Sequence, residues 1–176
     1  MTTKISILAL AVAGLLAMPA AAEEAMNDLE IAHTAYTAGQ IDIRYAHLAL
    51  ALSENETVRD FARTMIRDHT AVNDAAGALV GELKVTPQDN ALSRTLVEGA
   101  AGKRAEFARL SGQAFDCAYA TNELGYHQVV NQTVGDKFIP WATVPQLKDL
   151  LSEALVTFRQ HEGHAEAMVA GLKCGS

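Results

Sequence analysis

The chain has 176 residues, 49% of them hydrophobic and only 6% aromatic, with 14 Lys and Arg against 21 Asp and Glu. That length is the size of one domain, the apolar share excludes extended disorder, and the net charge of −7 excludes a nucleic-acid binder, which needs a basic face. Strands favour aromatic and β-branched residues, so an Ala-rich chain this poor in aromatics points to helices.

Residues 1–22 read as a secretory signal peptide. Lys4 precedes a short apolar run from Ile5 to Ala17, and Ala20-Ala21-Ala22 supplies the small-residue cleavage pattern. The run is too short for a bilayer span, which needs about 20 apolar residues, and charges interrupt every later apolar stretch. Cleavage after Ala22 removes one Lys and no acid, so the remaining domain, residues 23–176, carries −8. The expected location is the periplasm. Cys117 and Cys174 then enter an oxidising space, where an isolated pair without C-x-x-C spacing reads as a disulfide.

The first predicted helix spans 27–52. Its inner face is small, with Ala32, Ala35, Gly39, Asp42, Ala46 and Ala49. Ser53-Glu54-Asn55-Glu56 fits a capping box that opens the second helix. That helix carries the stripe Val58, Ala62, Met65, His69, Val72, Ala76, Leu79 and Leu83. Thr86-Pro87-Gln88-Asp89 reads as the next start signal, a Thr cap with Pro and an acid in the first turn. A third segment carries Leu92, Leu96, Ala100, Phe107 and Leu110 before Ser111-Gly112 breaks it. Another helix runs from Gln113 to about Val134. A loop over 135–144 follows, with Pro140 and the single Trp, Trp141, which is expected to cap the bundle end. Thr143-Val144-Pro145 opens the last helix, whose stripe is Leu147, Leu151, Ala154, Phe158, His161, Ala165, Met168 and Leu172. Short loops between long helices give antiparallel neighbours. The expected fold is all-α: an antiparallel four-helix bundle with an extra helix segment.

Register points to a site. Asp42 lies 13 residues before the turn at Asn55 and His69 lies 14 after it. At ~1.5 Å per residue both stand about 20 Å from that turn, level in an antiparallel hairpin. His127 and His161 stand 17 residues either side of Val144. Four polar groups, one per long helix, are thus expected at one depth. A lone buried carboxylate among Ala and Gly is costly unless compensated. Three imidazoles and a carboxylate would suit a single Zn, Cu or Fe. A metal-free hydrogen-bonded network that fixes register is the competing reading.

Tyr119 and His164 are secondary candidates. Tyr119 could donate to a core carboxylate or His, although packing explains it as well, and His164 shares a face with His161. Asp68, next to His69, is expected to face solvent. Asp116 is expected in a first helical turn, where an acid suits the dipole. Cys117 and Cys174 fall 27 before and 30 after Val144, near one end of the bundle.

The strings Val58-Arg59-Asp60-Phe61-Ala62, Met65-Ile66-Arg67-Asp68-His69 and Phe115-Asp116-x-x-Tyr119, with His127 and the His161 of the last helix, resemble a bacterial family, domain of unknown function 4142. The resemblance covers roughly residues 29–172. It implies a ferritin-like bundle and an exported location, and no agreed activity. The family usually has Glu where this chain has Asp42, and the Cys pair is not a family feature. A ferritin-like fold raises a di-iron oxidase, but such sites use Glu-x-x-His on two helices. Here Ile66 precedes His69 by three, Phe158 precedes His161 and His161 precedes His164. The sequence therefore favours one metal or none over two irons. For partners it leaves open a second copy of the chain or another envelope protein.

Overall fold

A computed structural model describes residues 25–174, so the predicted signal segment lies outside the described residues. Seven helical elements follow in order: α1 (Asp28–Leu52), α2 (Glu56–Leu83), α3 (Ala91–Phe107), α4 (Gly112–Thr133), a π-helical turn (Val134–Phe138), α5 (Ile139–Trp141) and α6 (Pro145–Gly171). The chain is an all-α helical bundle.

Contacts at the helix ends set the topology. Gln88 N–H donates to Leu29 O at 3.0 Å, and Asn90 Nδ2 donates to Thr34 Oγ1 at 2.8 Å, so α3 starts beside the start of α1. Phe107 at its other end packs edge-on against Tyr45, 5.6 Å between centroids. The run α1 up, α2 down, α3 up, α4 down, α6 up follows. The long helices form two antiparallel hairpins, α1–α2 and α4–α6, with α3 as the crossover. One such crossover is the connectivity of ferritin-like bundles.

Several local expectations need correction. Ser53 does not cap α2. Asn55 does, accepting from Thr57 N–H and Val58 N–H, while the Ser53 hydroxyl donates to buried Asp116. Asp116 is therefore an interior acceptor and lies past the first turn of α4. Thr86-Pro87 does not start α3 either. Asn90 caps it, in a reciprocal box with Ser93, because the same Asn side chain is anchored on α1. The buried face of α1 is broader than its Ala–Gly stripe: Ile31, Thr34, Ile41 and Tyr45 are buried too, since α3 covers a second side of α1.

The loop expected over 135–144 is mostly helical. Proline lacks an N–H, and its ring collides with the carbonyl four residues back in a regular helix. A widened π turn immediately before Pro140 accommodates both defects, and Ile139 N–H reaches back to Val134 O. Trp141 is half-buried and packs with Phe138, Val134 and Leu147 at the bundle end, where it was expected. Asp28, at the start of α1, accepts from Thr143 N–H and Val144 N–H and so closes the entry to α6.

The Cys117–Cys174 disulfide is present, with the Cα atoms 5.3 Å apart, and it ties the C-terminal tail to α4. Among the described residues no helix is long and apolar enough to cross a membrane.

Candidate metal centre

Each long helix delivers one side chain to a common depth. Asp42 from α1, His69 from α2, His127 from α4 and His161 from α6 are 0–3% exposed. His69 Nε2 lies 3.1 Å from Asp42 Oδ2, and His127 Nε2 lies 3.4 Å from the same oxygen. The three imidazole rings form a near-equilateral triangle, with centroids 5.7, 5.4 and 5.3 Å apart. One nitrogen from each lies within 4.8 Å of the others. Phe158 stacks on His69 at 4.8 Å and holds its ring plane.

The outward nitrogens are tied down. His127 Nδ1 meets the carbonyl of Glu123, one turn earlier on α4, at 2.9 Å. A carbonyl only accepts, so Nδ1 carries the proton and Nε2 presents a lone pair to the core. His161 Nε2 meets Asp68 Oδ2 at 3.0 Å. Asp68 is gripped by Arg67 through Nε at 2.7 Å and Nη2 at 3.0 Å. The Arg67 hydrogen bonds, aided by His161, hold the Asp68 carboxyl below its ordinary value against partial burial. An ionised carboxylate also only accepts, so His161 Nε2 donates and its Nδ1 lone pair turns inward. Asp68 therefore does not simply face solvent: it orients His161.

The inward atoms lack hydrogen-bond partners. Both oxygens of Asp42, both nitrogens of His69, Nε2 of His127 and Nδ1 of His161 are buried and unmatched. His69 Nε2 and Asp42 Oδ2 stand close, but the pair is not aligned as a hydrogen bond. Burial disfavours the Asp42 anion, but the facing His69, His127 and His161 outweigh it and keep the carboxyl below its ordinary value. Burial pushes His161 down to about 4, against the pull of Asp68, and moves His127 in the same direction. At neutral pH these two rings are uncharged, the form in which imidazole binds metals.

Glu123 is the core residue that sequence reasoning missed. It is fully buried, and its Oε2 has no hydrogen-bond partner. With Asp42 and His127 it makes a second close triplet. Burial first, and then the charge of Asp42, push its carboxyl well above the ordinary range. The signal was there: Tyr119, Glu123 and His127 recur every four residues and share one face.

Tyr119 is fully buried against Phe61, Phe107 and Phe115, and its hydroxyl finds no hydrogen-bond partner. His164 is exposed beside Asn55, Asp60 and Thr64, outside the cluster. His47 is exposed and His33 half-buried, both away from the triangle.

Fold and side chains together define a class: a helical bundle with a buried histidine–carboxylate cluster contributed by all four long helices. The chain belongs to the family described as domain of unknown function (DUF4142), whose match spans residues 14–168. No curated protein and no solved structure matches it.

Proposed function

We propose that this bundle holds a single transition-metal ion through Asp42, His69, His127 and His161, in an exported protein concerned with metal handling or redox protection. The observation that carries the reading is the set of inward lone pairs left unmatched while the outward nitrogens of His127 and His161 are fixed by a carbonyl and a carboxylate. Metal-ligating histidines are oriented in that manner. Three imidazoles and one carboxylate suit Zn, Cu or Fe. Buried polar atoms without partners are few in native proteins and call for an explanation such as an ion.

Two irons fit less well. A ferritin-type pair draws on four Glu and two His. Glu123 raises the carboxylates at the cluster to two, but the histidines are three and no Glu stands three residues before His69, His127 or His161. Export is supported by the leader pattern in residues 1–22 and by the disulfide.

Elemental analysis of protein isolated from the periplasm without a His tag tests the reading. One metal per chain is expected. Two irons per chain would favour the oxidase, and metal-free protein that takes up none would favour a structural or interaction module.

A further inference from the structure

One cavity, of about 120 Å³, joins the histidine cluster to the protein surface. At its outer rim stand Tyr36 of α1, Leu92 of α3 and Val129 of α4, which are 44%, 38% and 64% exposed. At its inner end stand His69 and His127, 3% and 0% exposed. Asp42 and His161 do not border it, so the cluster meets this space through His69 and His127 alone. The passage exists because its walls are built from small residues. Ala32, Ala35 and Gly39 of α1 reach no further than a methyl group, and Ala76 of α2 and Ala154 of α6 keep the facing walls shallow.

The walls offer little to a polar visitor. Among the described residues no Asp, Glu, Lys or Arg lines the cavity. The Tyr126 hydroxyl donates to Ala38 O at 3.0 Å, and Thr34 Oγ1 accepts from Asn90 Nδ2 at 2.8 Å. The Asn73 amide is packed against Gly39, with its Nδ2 out of reach. A hydrated ion that entered would lose its water without replacement, a cost that an uncharged apolar molecule does not meet. An anion would also meet the Asp42 carboxylate behind His69 and His127. Apolar cavities of roughly this size stay dry and take up xenon.

We propose that this cavity is the path by which a small uncharged apolar molecule, a diatomic of the size of dioxygen or nitric oxide, reaches the metal centre and binds there as an added ligand. The inference rests on the metal reading above and extends it from the protein's own ligands to the one that comes from outside. The path ends on the side of the cluster formed by His69 and His127, the two ligands that border the cavity.

Two variants narrow the passage without touching a proposed metal ligand: Ala35→Leu from α1 and Ala76→Leu from α2. Helical circular dichroism checks that each folds, and either one suffices if the other does not. In the metal-free protein, dissolved xenon should shift the methyl resonances of Ala32, Leu151 and Ala154, and the shifts should shrink in both variants. Parent and variants are then loaded without oxygen with Fe(II) or Cu(I), the retained metal is counted, and uptake of nitric oxide is followed by stopped-flow absorbance. The parent should take up nitric oxide. The variants should retain as much metal and reach the same final spectrum, but roughly tenfold more slowly. A protein that retains no metal removes the metal reading and this inference with it. A protein that retains only Zn leaves the metal reading standing and overturns the path. The path is equally overturned if the metal-loaded parent takes up no nitric oxide, if the variants take it up as fast as the parent, or if xenon shifts none of the lining residues.

Discussion

His161 and Asp68, on different helices, are joined at 3.0 Å between Nε2 and Oδ2. The bond fixes the imidazole tautomer and aims Nδ1 at the other two histidines. Asp68→Ala removes no proposed ligand. It should nonetheless weaken metal binding 10- to 100-fold, the usual effect of losing a partner that orients a ligating histidine. Competition against a chelator of known affinity measures this. Unchanged affinity would mean that His161 needs no orienting carboxylate.

Metal should also appear as heat stability. A ligand at 100 times its Kd stabilises the folded state by about 2.7 kcal/mol. Calorimetry of the parent protein with and without metal should show that rise in Tm. In His69→Ala and His161→Ala the rise should vanish, while the metal-free transitions stay cooperative.

Acid should destabilise the metal-free protein early. Burial holds His161 at about 4, and unfolding returns it to about 6.5. Between those values the unfolded chain binds more protons, so stability is intact above pH 6.5 and falls as pH drops through the window to 4. His127 is shifted in the same direction. Urea midpoints at pH 7, 5.5 and 4.5 should fall in sequence, and His161→Asn should flatten the fall.

Glu123 predicts the opposite slope. Its folded carboxyl is held well above the ordinary range by burial and by the charge of Asp42. Such a group contributes stability below its unfolded value and loses it as pH rises. Glu123→Gln keeps the shape and removes the titration. The variant should gain stability over the parent in the metal-free state, and the gain should be larger at pH 8 than at pH 5.

The Cys117–Cys174 bridge closes a separation of 57 residues. In the chain-entropy model, closure of a loop that long is worth about 4 kcal/mol. The double Cys→Ser variant should lose stability of that order in denaturant melts. It should keep its metal affinity, since Cys117 lies in the second turn of α4, more than two turns before His127.

Much of this arrangement is legible in the sequence where a physical period governs it. Asp42 and His69 meet because a three-residue link between antiparallel helices converts equal counts from a turn into equal depth. His127 and His161 meet by the same count, although their connection is a π turn and a short helix. Both ends of that connection are fixed by packing, so the register survives. The missed residues are those whose role depends on neighbours remote in sequence. Asp68 looks like a surface acid on α2 until α6 brings His161 to it. Glu123 looks like one of many acids until burial beside Asp42 is seen. Caps misread at Ser53 and Thr86 fail for the same reason: Ser53 is drawn to Asp116 and Asn90 to Thr34, contacts that local patterns do not encode.

Native mass spectrometry of the stripped protein, after incubation with Zn, Cu and Fe in turn and desalting, tests the central claim most directly. The account predicts retention of one ion per chain for at least one of these metals, and none in His69→Ala or His161→Ala. A parent protein that emerges metal-free from all three would contradict it.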